Sequence, residues 1–251
     1  MKNRAIAILG MHRSGTSLAA RGINLLGAWM GEESALMGPA RDNPAGFWER
    51  WDLMEFHDKI LHAMGRTWHD TAALPIWDAL PQAATYQIQL EQMLDFIFKH
   101  QSLWAFKDPR ACLLLPLWSR AVARQNTLLN AVLMVRNPLD VAQSLKHRNG
   151  FSLQKSFTLW ELHYSQVLGD ISPTPLTVVD FDDLVCDPEI QFRRIAKTMG
   201  ISADDTAIKA AASSVQPRLI SHHSSMGDLL QADPPQSLLK LYRTLGDASG
   251  H

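Results

Sequence analysis

Short apolar runs alternate along the chain with segments whose apolar residues recur every three or four positions. The runs Ala5–Leu9, Trp104–Phe106, Ala131–Val135 and Leu176–Val179 have strand length and are rich in aliphatic residues, as expected of strands covered on both faces. The intervening periodicity predicts helices over Thr16–Leu26, Thr85–His100, Leu113–Arg124, Leu139–Lys146, Leu153–Leu168 and Pro188–Met199. Asp187 and Pro188 open the last of these as N-cap and first helical residue, and Gly200 closes it. Strands alternating with helices imply βαβ crossovers, hence an α/β fold with a central, mostly parallel sheet and helices on both faces. Two stretches break the rhythm. Residues 30–52 (Gly31, Gly38, Pro39, Asn43, Pro44, Gly46) and 214–237 (Pro217, Gly227, Pro234, Pro235) are expected to be mostly loop. No repeat or linker divides the chain, so one domain over residues 1–251 is expected.

Composition narrows the partners. The 251 residues are 46% hydrophobic and 20% charged, ordinary for a globular protein, and the net charge of −1 points neither to nucleic acid nor to an anionic membrane. Any anion binding must then come from local clusters. The two cysteines, Cys112 and Cys186, form neither a disulfide framework nor a zinc pattern and fit a reducing compartment. The longest apolar runs fall far short of the roughly 20 residues that span a bilayer. His12 and Arg13 interrupt the N-terminal run too soon for a signal peptide, so a cytoplasmic location is expected.

The chemistry concentrates after two of the expected strands. Ile6-Ala7-Ile8-Leu9 runs into Gly10, a polar loop (Met11, His12, Arg13, Ser14), Gly15 and a helix beginning at Thr16 and Ser17. This is the layout of a strand, a phosphate-cradling loop and a helix N-terminus, where backbone N–H groups and the helix dipole favour an anion. It is a P-loop-type three-layer arrangement with one change. The usual G-x-x-x-x-G-K-[ST] lysine is replaced by Thr16, and the cation has moved to Arg13. The second cluster is Arg136-Asn137-Pro138-Leu139-Asp140, with Ser144 two helical turns on. Arg136 sits at a strand's carboxyl end, where open α/β sheets bind ligands, and supplies a planar fork for phosphate.

Together the two motifs resemble those of sulfotransferases that use 3′-phosphoadenosine 5′-phosphosulfate (PAPS). The resemblance covers roughly residues 4 to 200. Arg13-Ser14-Gly15-Thr16-Ser17 is similar to the family's 5′-phosphosulfate loop, Arg136 and Ser144 to its 3′-phosphate pair, and Phe181-Asp182-Asp183-Leu184 to a later aromatic-acidic segment. It implies PAPS as cofactor, adenosine 3′,5′-bisphosphate (PAP) as product, and in-line sulfuryl transfer to a hydroxyl or amine of a small molecule, glycan, lipid or peptide. It implies cofactor contacts from His12, Arg13, Ser14, Gly15, Thr16, Ser17, Arg136 and Ser144, with Arg13 also catalytic, and no metal. Asn43-Pro44-Ala45-Gly46-Phe47-Trp48-Glu49 resembles a segment of bacterial members, making Glu49 the first candidate for the base and His57 the second. Their alternatives are an ion pair with Arg50 or an N-cap role for Glu49 and a satisfied or exposed histidine at 57. Lys107 of Lys107-Asp108-Pro109-Arg110 could reach cofactor or acceptor, whereas Asp108 is expected to be structural. Residues 30–100 would form an acceptor-site insertion, with Trp48, Trp51, Trp68 and Trp77 lining the pocket or packing in the core. Residues 201–251 would form a helical and loop segment whose Arg218, His222 and His223 could close over the nucleotide. A second reading is a phosphotransferase or nucleotide hydrolase with a degenerate loop, Asp180 mimicking its metal-holding acid. A third is a nucleotide-binding protein without catalysis.

Overall fold

The computed structural model describes residues 2–41, 43–216 and 222–249. Four strands, β1 (Asn3–Leu9), β2 (Leu103–Lys107), β3 (Thr127–Val135) and β4 (Leu176–Asp180), form one sheet in the order β2-β1-β3-β4, every neighbouring pair parallel. Each expected strand is present and extends by one to four residues at an end.

Side chains of the strands alternate between two cores, because successive Cβ atoms leave opposite faces. Ala5, Ala7 and Leu9 of β1, with Leu133 and Val135 of β3, enter one core. Ile6 and Ile8, with Val132 and Met134, enter the other. The first core is covered by α2 (Trp51–Ala63), α3 (Ala83–Phe98), α4 (Leu115–Arg124), α5 (Pro138–Asn149), α6 (Leu153–Asp170), α10 (Met226–Gln231) and α11 (Gln236–Ser249). The second is covered by α1 (Thr16–Leu25), α7 (Phe181–Cys186), α8 (Pro188–Met199) and α9 (Asp205–Ser213). The result is the expected α/β sandwich of helix, sheet and helix.

The chain leaves β1 toward β2 on one side and later returns to place β3 on the other. The carboxyl ends of β1 and β3 therefore flank a topological switch point, the standard crevice of such sheets. Both sequence motifs begin there.

Helices α2, α7 and α10 were not expected; α9 and α11 lie within 201–251, the stretch expected to hold helix and loop. Helix α2 buries Leu53, Phe56, His57, Ile60 and Leu61 along one stripe. The expected loop over 214–237 contains α10, opened by a capping box between Ser225 and Asp228. The described residues of 30–52 are largely loop as expected, apart from a single turn of 3₁₀-helix at Glu33–Ala35 and the start of α2 at Trp51. Among the described residues, no helix is long and apolar enough to cross a membrane.

Candidate active site

The anion loop owes its shape to backbone that few side chains tolerate. Gly10 ends β1 at φ 139°, and a Cβ there would lie 2.7 Å from the Met134 carbonyl oxygen. Arg13 (φ 72°) and Gly15 (φ 86°) are both left-handed, and Gly15 forms the N-cap of α1. Left-handed residues inside a tight turn direct neighbouring N–H groups to one side, which makes an anion-binding concavity at the positive end of the helix. The Ser14 N–H closes the turn on the Met11 carbonyl at 3.2 Å.

The two motifs interlock. Arg13 Nε donates to Ser144 Oγ of α5 at 2.8 Å. Arg136, immediately after β3, is 7% exposed and donates through Nη1 to the Arg13 carbonyl at 3.2 Å and through Nη2 to the His222 carbonyl at 2.8 Å. Its Nε faces the buried Asp140 carboxylate at 3.7 Å. Burial lowers the Arg136 pKa, and the Asp140 charge opposes that shift. Serine and arginine from one motif thus touch the arginine residue of the other.

A third wall comes from the loop before α2 and from the end of β2. Lys107 Nζ donates to Ser17 Oγ at 3.3 Å, to the Phe47 carbonyl at 3.1 Å and to Glu49 Oε1. Asn43 Nδ2 donates to Ser17 Oγ at 3.1 Å, so the Asn43–Glu49 segment folds back over the start of α1. Arg110 Nη1 stands 3.7 Å from Glu49 Oε2. Burial raises the Glu49 pKa, and the Lys107 charge pulls against it.

These walls border a solvent-open cleft that brings together His12, Arg13, Gly15, Thr16, Ser17, Glu49, Lys107 and Arg136. Ser144 reaches the same place through its bond to Arg13. Ser14 does not line the cleft: its side chain is fully buried and shares a hydrogen bond with the Tyr164 hydroxyl at 3.0 Å. His12 lines the cleft with its ring packed 4.1 Å from that of Trp68. Burial, then the charges of Arg110 and Arg148, push its pKa well down.

His57 must be corrected as a candidate base. It is fully buried on α2 and lies outside the cleft. Its Nε2 accepts from Trp118 Nε1 at 2.9 Å, so Nδ1 carries the proton and donates to Asp108 Oδ2 at 2.8 Å. No ring nitrogen is left for a substrate. Asp108 is structural, as expected: its Oδ1 accepts from Arg110 Nη1 at 3.0 Å and from the Arg110 backbone at 2.9 Å. Burial alone would raise the Asp108 pKa, but the His57 bond and the Arg110 charge hold it well below the carboxylate range.

The tryptophans divide. Trp77 is buried, Trp51 is exposed at the start of α2, and Trp48 packs against the α1 side of the sheet. None of the four lines the cleft, although Trp68 backs His12. Asp180 caps α7, accepting the Asp182 N–H at 2.8 Å, and this helix-capping role accounts for its carboxylate. In the late loop, His222 meets Arg136 by its carbonyl and His223 Nδ1 stands 3.4 Å from Asp182. Arg218 lies outside the described residues. Sequence reading missed Arg21, Arg148 and Ser214–Gln216, which line the cleft without any local motif to mark them. Among the described residues, no group of three His, Cys, Asp or Glu side chains is placed to hold a metal ion.

A known structure shares this architecture. The sulfotransferase domain of the Synechococcus PCC 7002 olefin synthase aligns with a TM-score of 0.59 at 15% identity, over 98% of this chain and 96% of that one. The sulfotransferase domain from the curacin biosynthetic pathway aligns over 98% of both chains at 12% identity, with a TM-score of 0.49. No curated protein matches the chain. A family-level match covers the sheet, the loop after β1 and the arginine after β3: residues 5–205 fit the model of the Sulfotransferase family, and the chain belongs to that family.

Proposed function

We propose that the chain transfers a sulfuryl group from PAPS to an acceptor hydroxyl or amine. One observation carries this reading. Two anion sites, the loop after β1 and Arg136 after β3, are joined by direct hydrogen bonds and face one cleft. A nucleotide with a 5′-phosphosulfate and a separate 3′-phosphate needs two such sites. Five cationic side chains and one carboxylate line the cleft among the described residues, which suits a multiply charged donor.

In this reading the loop from Gly15 to Ser17 holds the 5′ end, and Arg136 with Ser144 holds the 3′-phosphate. Arg13 and Lys107 offset the charge that gathers on the 5′-phosphate as its bond to sulfur breaks. Glu49 takes the proton from the attacking acceptor, and its buried, raised pKa suits that task. The segment over 30–100 then borders the acceptor, with His12 on that side of the loop. The free Cys112 and Cys186 suit a reducing, cytoplasmic setting.

A phosphotransferase reading has less support, since Thr16 stands in place of the loop lysine and Asp180 serves as a helix cap. Binding separates the two. The sulfotransferase binds PAP without Mg²⁺ and prefers it to ATP with Mg²⁺; the reverse order refutes the proposal. Catalysis is then read as PAP release from PAPS across a panel of sugars, phenols and amines. Glu49→Gln should keep PAP affinity and lose turnover, and a variant that turns over normally removes Glu49 as the base.

A further inference from the structure

Phe181 lines the cleft, and the donor-site reading gives it no task. Its place is tightly set. It opens α7 directly after β4, and the Asp180 carboxylate fixes that start by accepting the Asp182 and Asp183 N–H groups at 2.8 and 3.3 Å. The residue is 5% exposed. The Arg136 guanidinium carbon lies over it, 4.3 Å from the ring centroid. The ring also abuts the anion loop: a Cβ on Gly15 would come within 2.4 Å of Phe181 Cδ2. One aromatic side chain is therefore wedged between the two anion sites.

The hydrogen bonds of Arg136 show what the wedge could do. A guanidinium has five N–H donors in one plane. One on Nη1 goes to the Arg13 carbonyl, one on Nη2 to the His222 carbonyl, and the Nε–H faces Asp140 at 3.7 Å. Among the described residues that leaves one N–H on each terminal nitrogen, donors that a phosphate can use. Asp140 supplies opposite charge but, at 3.7 Å, little direction. An aromatic face against the guanidinium restricts the tilt of its plane, and with it the aim of those two donors.

We propose that Phe181 is a positioning residue for 3′-phosphate recognition: it holds the plane of Arg136 and so sets how strongly the chain prefers PAP over AMP. The inference rests on the donor-site reading above, and it needs no acceptor to be tested. Titration calorimetry of the full chain with PAP and with AMP measures the affinity ratio. Wild type should favour PAP strongly. Phe181→Leu should cut that ratio about tenfold, the scale of a cation–π contact shielded from water. AMP affinity should stay within about twofold, and Phe181→Tyr, which keeps the aromatic face, should keep the ratio.

The outcomes separate cleanly. A wild type that binds PAP and AMP alike overturns the donor-site reading itself. A wild type that prefers PAP, with Phe181→Leu keeping the whole preference, overturns the role of Phe181 alone. Equal loss of both nucleotides in Phe181→Leu means the ring only supports the fold, and that also overturns it. Should Phe181→Leu fail to fold by thermal melting, Phe181→Met fills similar volume without the aromatic face and is judged by the same ratio.

Discussion

Replacing Lys107 with methionine tests how the cleft manages its buried charge. The Lys107 and Glu49 side chains are 3% and 6% exposed, and both residues line the cleft. Removing one partner of a buried pair leaves an uncompensated charge and costs about 3–5 kcal/mol. Two features place the expected cost near the lower bound, about 3 kcal/mol at pH 7. Arg110 Nη1 still faces Glu49 at 3.7 Å, and burial already raises the Glu49 pKa, so the carboxyl can take up a proton. The pH dependence follows in sign. Without Lys107, the Glu49 pKa rises further above that of the unfolded chain. Between those two values the folded state holds a proton that the unfolded state has lost, so stability falls as pH rises through that window. Urea denaturation of the variant should therefore show its smallest penalty near pH 5 and a larger one at pH 8. Glu49→Gln in the same background removes the stranded charge, which should recover most of the loss and flatten the pH dependence. A Lys107→Met penalty below about 1 kcal/mol, or one that neither changes with pH nor recovers in the double variant, would refute the reasoning. The outcome bears on Glu49 as the proposed base, because the Lys107 charge opposes the burial that raises its pKa.

Arg13→Ala should lower turnover by roughly 10²–10³, the usual loss for one preorganised charge-stabilising donor, with a smaller change in PAP affinity. Arg136→Ala should do the opposite, weakening PAP binding more than turnover at saturating donor, and swapped outcomes would reverse the two assignments. His163 is fully buried, with Nδ1 donating to the Leu159 carbonyl at 2.8 Å and Nε2 without a partner among the described residues. Burial pushes its pKa down to about 4 from 6.5. The unfolded chain therefore takes up a proton that the folded chain refuses, and stability drops as pH falls through this range. At about 1.4 kcal/mol per pKa unit, denaturant melts at pH 7 and pH 4.5 should show wild type losing about 2–3 kcal/mol more than His163→Leu. Equal losses would show that His163 is not the group responsible.

What the sequence revealed was local. The four strands announce themselves as short aliphatic runs, and Gly10 and Gly15 mark the anion loop because backbone at φ 139° and 86° suits glycine. The eight-residue spacing set Ser144 within the helix that follows Arg136, able to face the same crevice, and Ser144 does meet Arg13 of the loop after β1. Helix α2 was legible in principle, since Leu53, Phe56, Ile60 and Leu61 keep a helical period, but the glycine- and proline-rich stretch before it obscured its start. His57 shows the harder limit. A histidine eight residues after Glu49 invites an acid–base role, yet Asp108 and Trp118, 51 and 61 positions away, take both of its nitrogens. Lys107 is the converse case. Nothing around it in sequence names Glu49, Ser17 or the Phe47 carbonyl as partners. Its place follows from strand order: β2 pairs directly with β1, Ile8 opposite Lys107, so the residue ending β2 lands beside the loop that follows β1. Besides Arg13 within the loop, a second cation thus reaches the start of α1 from the adjacent strand, by sheet topology and not by any motif.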